Sequence, residues 1–474
     1  MRRSPWATLA VLALAQFIVV LDVTIVNVAL PHIQADLNFS ADSLQWVINA
    51  YTLLFGGFLL LGGRMADLLG PRRVFTGGLL LFGVTSLVAG LSNSPEFLIG
   101  ARAVQGLGGA LLSPAALAIL TMTFAHGRER NIAMGVWGGL AGLGGTLGVV
   151  AGGVLVDSLS WQWVFFVNVP IVLALIALIP VFVPDVRLAT GRRTFDTLGA
   201  VLATTGLMAV VYGVVRSEPS GWGSFEVVGV LTAGVVLLVA FVLVERRSAA
   251  PLVPLRLFRS RALSVSGASL ALNGAGFLSM FFLTAIYLQQ VRGDSALDAG
   301  IHFLPMGGAA IVGAVLASQL VQRFGTRTVQ LAGAVLSVIG LLLLSQADAT
   351  GSYSSQLLPG LIIFGFGIIG VGVPGQINAV SEVRPAEAGA ASGVVNAMYQ
   401  VGGALGLAIV TTLSITHTTN ELTHGATQLQ ALQSGYERGL LAAAVFAVAN
   451  VLLTFATPQL QPTPEQLAEA TAAA

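Results

Sequence analysis

Fourteen apolar runs, each close to the ~20 residues that cross a bilayer, follow one another along the 474 residues of this chain. Fourteen spans take up ~280 to ~310 residues and leave only short connections. No polar stretch reaches the ~50 residues of a small water-soluble domain, so an anchor on a soluble enzyme is excluded. Composition agrees, with 55% hydrophobic and 9% charged residues and a mean hydropathy of +0.87. The expected class is an all-α integral membrane protein. The opening MRRSPW and the apolar run behind it also resemble a signal peptide. That run, 7–30, is longer than an h-region of ~7 to ~15 residues and carries Asp22, so it reads as a retained first span.

Breaks made by Pro, Gly and charge place the spans near 7–30, 43–63, 74–92, 96–123, 132–156, 162–183, 196–215 and 225–245, then 263–289, 299–321, 328–346, 356–379, 388–415 and 437–457. All 22 basic residues are arginine. With the N-terminus inside and the spans alternating, eighteen arginines fall on the cytoplasmic side, three outside (Arg216, Arg292, Arg438) and one, Arg102, within a span. Cytoplasmic loops are the arginine-rich ones in membrane proteins, and adding or losing one span scrambles this sorting. Both termini are therefore expected in the cytoplasm, and the chain in the cell inner (cytoplasmic) membrane.

The segment GRMADLLGPRRV between spans two and three is echoed by QLVQRFGTRTV between spans ten and eleven, so that Gly70-Pro71-Arg72 recurs as Gly325-Thr326-Arg327. Span five (Gly144, Gly148, Gly152, Gly153) and span thirteen (Gly393, Gly402, Gly403, Gly406) pair in the same way, again eight spans apart. The expected organisation is two six-helix pseudo-repeat bundles, 1–190 and 259–474, around an inserted pair, spans seven and eight with a cytoplasmic linker, at 191–258. Internal repeats of this kind mark secondary transporters, which bind substrate between the halves.

Asp22 is the one carboxylate placed deep in a span. An Asp at the centre of a span costs about 2.5 to 3.5 kcal/mol by insertion, so it normally faces a cavity and marks an ion or proton pathway. Arg102 is its natural partner. Asp22 lies ~12 Å from the outer end of span one and Arg102 ~9 Å from the outer end of span four, at 1.5 Å per residue. The adjacent cation favours the ionised carboxylate and the apolar surroundings favour the neutral acid, and a proton carrier needs the two in balance. The pair reads either as a proton switch or as a permanent salt bridge locking spans one and four.

Gly63, Asp67, Gly70, Arg72 and Arg73 fall in the connection after span two. Inside-positive topology and turn chemistry explain them; alternatively Asp67 acts as a charge latch remade in each cycle. Gly144, Gly148 and Gly152 share one face of span five, for close packing or as a seal against proton leak. Candidate cavity-lining residues are Gln45 with Asn49, Gln105, Asn273, Gln376, and Asn396 with Tyr399 and Gln400 at helical spacing; interhelical hydrogen bonds are the plain alternative. Phe277 and Phe281, one turn apart, suit a flat ligand or simple packing.

The chain has no cysteine, and therefore no disulfide or thiolate metal site. It lacks lysine and with it the phosphate-binding G-x-x-x-x-G-K-[ST] loop, so transport runs on a gradient. No hydrolase motif groups the five histidines, so no enzyme, cofactor or metal is expected. The net charge of +1 gives no reason for a nucleic-acid partner. The expected partners are a small lipophilic substrate, protons and the bilayer, with the chain acting as a monomer.

The run LDVTIVNVALPHI (Leu21 to Ile33), Gln45-Trp46, the loop GGRMADLLGPRRV and RAVQGLGGALLSP on span four together resemble the fourteen-span drug:proton antiporter family of the major facilitator superfamily, over essentially the whole chain. The loop is similar to the superfamily's G-x-L-a-D-r-x-G-r-k pattern through Gly63, Asp67, Gly70, Arg72 and Arg73, with Leu68 and Pro71 at usually basic positions. Arg102, Gln105, Gly106 and Gly108 carry the R-x-x-q-G-x-g pattern, whose Arg the resemblance implicates in proton coupling together with Asp22. Gly144, Gly148, Gly152 and Gly153 resemble the antiporter G-x-x-x-G-P-x-x-G-G signature, with Val149 where Pro is usual. Some relatives carry further acids in the second half's spans, and this chain has none there. The resemblance implies that spans one, four, nine and twelve line a central cavity, flanked by two, five, ten and thirteen. It implies a proton-coupled exporter of amphipathic drug-like compounds working by alternating access. A symporter or facilitator importing a small polar solute is the transport alternative, and a receptor or scaffold the other.

Overall fold

The computed structural model describes residues 4–124, 133, 144, 147–185, 196–248, 251, 255–349, 351–383 and 388–459. All regular structure among them is helical. Eleven helices are long and apolar enough to cross a membrane, and Trp46–Leu59, Leu147–Ser158 and Leu198–Val214 are shorter apolar helices beside them. In chain order the helices used below are α1 (Pro5–Leu37), α2 (Trp46–Leu69), α3 (Pro71–Gly90), α4 (Pro95–Thr123), α5 (Leu147–Ser158), α6 (Trp163–Phe182), α7 (Thr197–Ser220) and α8 (Phe225–Arg247). They continue with α9 (Arg261–Ile286), α10 (Ala296–Phe324), α11 (Thr326–Ser345), α12 (Leu358–Ser381), α13 (Ala388–Thr423) and α14 (Gln428–Thr454). Most of the stretch predicted to open span five, within 132–146, lies outside the described residues, as does 186–195.

Local chemistry sets the helix ends. Ser94, Ser224 and Ser260 cap α4, α8 and α9 by accepting from the backbone N–H of Phe97, Val227 and Leu263, the usual office of a serine at that position. Thr427 and Gln430 close a reciprocal capping box at the start of α14. That cap carries α14 through the polar stretch from Gln428, nine residues ahead of the predicted start at 437.

The predicted loop of Gly63, Asp67, Gly70, Arg72 and Arg73 is corrected in form. Gly63 and Asp67 belong to α2, Arg72 and Arg73 to the first turn of α3, and only Gly70 stands between the two helices. Its φ of 95° suits glycine alone among common residues, and Pro71 takes the first helical position, where its missing N–H costs nothing. The side chain of Asp67, on which the latch depends, lies outside the described residues. Gly325, with φ 81°, makes the same kind of break between α10 and α11.

The chain divides into two compact units, one of Met1–Val253 with Asp294–Ile301, the other of Pro254–Gly293 with His302–Ala474. In the first, α4 packs against α2 and α3, and small residues allow it: a Cβ at Gly108 would lie 2.7 Å from the Phe82 nitrogen, and one at Gly106 would overlap the Tyr51 carbonyl. The inserted pair α7 and α8 groups with this unit, where Gly57 of α2 faces Thr204 of α7. In the second unit α9 packs on α13 and α11 on α12; Cβ atoms at Gly274 and Gly402 would overlap the carbonyls of Tyr399 and Ala271. Helix association in lipid works through such close approach, because lipid is as apolar as the side chains.

Candidate functional site

Asp22 stands near the middle of α1 and is wholly buried. Arg102, from the first half of α4, is 1% exposed, and its Nη1 lies 2.5 Å from Asp22 Oδ2. The matched depths expected from helical rise therefore correspond to direct contact. Arg102 also donates through Nη1 to Gln105 Oε1 (2.8 Å) and through Nε to the Val47 carbonyl (3.1 Å), and its guanidinium lies 4.3 Å from the centre of the Tyr51 ring. Gln105, one turn further along α4, donates from Nε2 to Asp22 Oδ1 at 2.9 Å. A buried charge is tolerable when paired and hydrogen-bonded, and this carboxylate has both.

Asn168 completes the site and was not foreseen. Its Nδ2 donates to Asp22 Oδ1 (3.1 Å) and to Ser86 Oγ (3.0 Å), while Ser86 donates to the Phe165 carbonyl at 2.8 Å. Asn168 follows the turn at Val167 that divides α6, with Pro170 two residues on. A proline cannot donate to the carbonyl four residues back, so the Phe166 carbonyl lacks its usual helical partner here, although Val167 keeps helical dihedrals. The available signal was an asparagine inside an apolar span, the same signal by which Asn273 was singled out.

The other predicted residues fall in several places. Gln45 and Asn49 are wholly buried, and the polar atoms of both amides have no hydrogen-bond partner among the described residues. In the second unit Asn273 donates to the Ile368 carbonyl at 3.1 Å and lines a small pocket with Asn450 and Ser337. Phe277 and Phe281 have ring centres 5.8 Å apart, and Phe281 stacks on Phe303 at 4.4 Å. Gln376 is exposed; Asn396, Tyr399 and Gln400 are half-buried on α13.

The glycine stripe of α5 faces α1. Thr24 of α1 donates to the Gly144 carbonyl at 3.2 Å. A Cβ at Gly144 would lie 2.8 Å from Val20, one at Gly148 would overlap Thr24 Oγ1, and one at Gly152 would lie 3.0 Å from the Ile25 carbonyl. Gly153 faces Leu297 in the first turn of α10 instead.

Helices long and apolar enough to cross a membrane, with a carboxylate buried and paired near the middle of the first, fit a multi-pass membrane transporter. Residues 12–407 match the Major Facilitator Superfamily, and the chain belongs to it. It is 42% identical to the puromycin resistance protein pur8 of Streptomyces alboniger, over 95% of this chain and 90% of that one. It is 39% identical to the cephamycin export protein CmcT of Amycolatopsis lactamdurans (94% and 91% covered) and 37% identical to the lincomycin resistance protein of Streptomyces lincolnensis (86% and 84%). Among solved structures it resembles the nucleoside transporter NupG, with TM-score 0.67 and 13% identity over 96% of this chain and 100% of that one. It also resembles an auto-inhibited peptide transporter of the POT family, with TM-score 0.68 and 15% identity over 96% and 98%. These two likenesses concern the fold alone.

Proposed function

We propose that the chain is a proton-coupled secondary exporter of amphipathic drug-like compounds, working by alternating access in a bacterial cytoplasmic membrane with both termini inside. The observation that carries this reading is the buried Asp22–Arg102 pair in a chain whose relatives are named for antibiotic resistance and export. Protonation of Asp22 from outside frees it from Arg102 and favours one state; substrate arriving from the cytosol or inner leaflet displaces the proton inside. A symporter or facilitator for a polar solute is less supported, since the relatives' names point outward; the direction of flux under an imposed pH gradient separates the two. Expression in a drug-sensitive host should raise tolerance to compounds such as puromycin or lincomycin. Tolerance unchanged across a panel of antibiotics and cationic dyes would refute the reading.

The eleven long and three shorter apolar helices support fourteen spans. The matching glycine breaks at Gly70 and Gly325 support two pseudo-repeat bundles, as does the packing of each glycine-rich helix, α5 or α13, on α1 or α9 of its own half. We assign Gln45, Asn49, Asn273, Phe277, Phe281, Gln376, Asn396, Tyr399 and Gln400 to substrate contact in the course of the cycle, and Asp67 with Arg72 and Arg73 to gating. The chain acts as a monomer.

Arg102→Ala is expected to shift the pH profile of transport and weaken coupling, because the carboxylate loses its counter-charge, with Arg102→Lys restoring part of it. An unshifted profile in proteoliposomes would make the pair structural. Charge selectivity follows from the single carboxylate. A dication leaves one charge uncompensated in low dielectric, at a cost of several kcal/mol, so monocationic and neutral compounds should be exported in preference. Exchange of one proton per monocation is electroneutral and should ignore a valinomycin-clamped potential. Dicationic dyes moving as fast as monocationic ones would bring in a second acid, such as Asp298.

A further inference from the structure

We propose that Asn168, anchored by Ser86, is a positioning residue that reads the protonation state of Asp22 by turning its side-chain amide. This rests on the reading of Asp22 as the proton carrier and adds to it the group that responds when the proton arrives.

An ionised carboxylate only accepts hydrogen bonds, and a protonated one must also place an O–H. Asp22 as it stands is surrounded by donors: Arg102 Nη1 on Oδ2, and Gln105 Nε2 and Asn168 Nδ2 on Oδ1. All four side chains are buried, so a new O–H has to find its acceptor among them or remain unsatisfied, which is costly. Arg102 has no acceptor to offer, which rules out Oδ2 as the protonated atom while the pair is close. Gln105 has an acceptor, but its Oε1 already takes Arg102 Nη1 at 2.8 Å, and turning that amide would break the bond.

Asn168 is different. Its Oδ1 is buried and has no partner among the described residues. Half a turn about its Cβ–Cγ bond brings this oxygen to where Nδ2 now stands, 3.1 Å from Asp22 Oδ1, and sacrifices no bond of Oδ1. The proton then sits on Asp22 Oδ1 and is donated to Asn168 Oδ1. The turn gives up the neutral Nδ2 bond to Ser86 where turning Gln105 would give up a bond to a buried cation, and Ser86 answers by swinging its hydroxyl from the Phe165 carbonyl to Asn168 Oδ1. Of the ionisable groups around Asp22, Arg102 approaches from α4 and Tyr51, over the guanidinium, from α2. From α3 and α6 come the uncharged Ser86 and Asn168. The turned amide passes the protonation event on α1 to α6.

The test is pH-difference infrared spectroscopy on the full chain in liposomes, which needs no substrate. Asp22→Asn identifies the protonated-carboxyl band of Asp22 by removing it. With wild type, acidification should produce that band together with a change in an asparagine side-chain carbonyl band. Asn168→Leu should abolish the asparagine component and move the carboxyl band to higher frequency, as its O–H loses an acceptor. Ser86→Ala, which removes one oxygen and adds no bulk, should alter the asparagine component as well and serves if Asn168→Leu fails to fold. An Asp22 band present but identical in both variants overturns the role of Asn168 and leaves proton coupling by Asp22 standing. The absence of any Asp22 band in the wild type overturns both.

Discussion

Asp22→Asn should reduce gradient-driven export to background while leaving downhill exchange of substrate in place. The substitution is nearly isosteric, so the packing of α1 has little to lose. What changes is chemistry: an amide neither takes up nor releases a proton, and its NH2 group faces Arg102, Gln105 and Asn168, all of which present donors in the native site. With no negative charge, Arg102 becomes a buried cation held by Gln105 Oε1, the Val47 carbonyl and the face of Tyr51. A cycle that needs Asp22 to alternate between charged and neutral stops in the proton-loaded leg, and only substrate-for-substrate exchange remains. The decisive comparison is uptake into inverted vesicles driven by a pH gradient against counterflow at uniform pH. Uphill transport at the wild-type rate would remove Asp22 from the coupling step.

The expectations that succeeded and those that needed correction have different physical roots. Helix positions were legible because an apolar run has to cross the bilayer, and the depth of a residue follows from its place in the run. That is why Asp22 and Arg102 could be paired from sequence, and why Gln105, one turn beyond Arg102, reaches the same carboxylate. Rotation about the helix axis is less legible, since a span buried on nearly all sides has no polar face to orient it. Asn168 shows the consequence: an asparagine inside an apolar span is a visible signal, but the sequence does not say that it faces Asp22. Helix ends were misjudged where hydropathy and helicity part company. The polar turns from Gln428 of α14 and those ending α13 at Thr423 are helical without being apolar, held by caps rather than by burial in lipid. Clustered charge and glycine after α2 predict a loop, yet one glycine at positive φ makes the whole turn.

Gly148→Leu should cause loss of transport and lowered thermal stability, and it should be worse than Val149→Pro. A leucine Cβ at 148 would overlap Thr24 Oγ1 and come within 3.0 Å of the Leu21 carbonyl, before the rest of the side chain is counted. Relief requires α1 and α5 to separate, and backbone that must move is far less forgiving than the end of a flexible side chain. Overpacking of this kind costs about 1 to 3 kcal/mol where neighbours can yield, and here the neighbour is the helix backbone one residue before Asp22. Separation also strains the Thr24 bond to the Gly144 carbonyl and displaces Asp22 relative to Arg102 and Asn168, which are held by α4 and α6. Val149→Pro removes one N–H, at the position where the signature that α5 resembles carries proline, and leaves the contact stripe of 144, 148 and 152 unchanged. Two measurements separate packing from chemistry: the melting temperature of the purified variant in detergent, and the Asp22 band in its acid-induced infrared difference spectrum. Gly148→Leu should lower the first and disturb the second, and Val149→Pro should affect the second little. Equal and mild effects of the two substitutions would mean that this face of α5 does not set the position of α1.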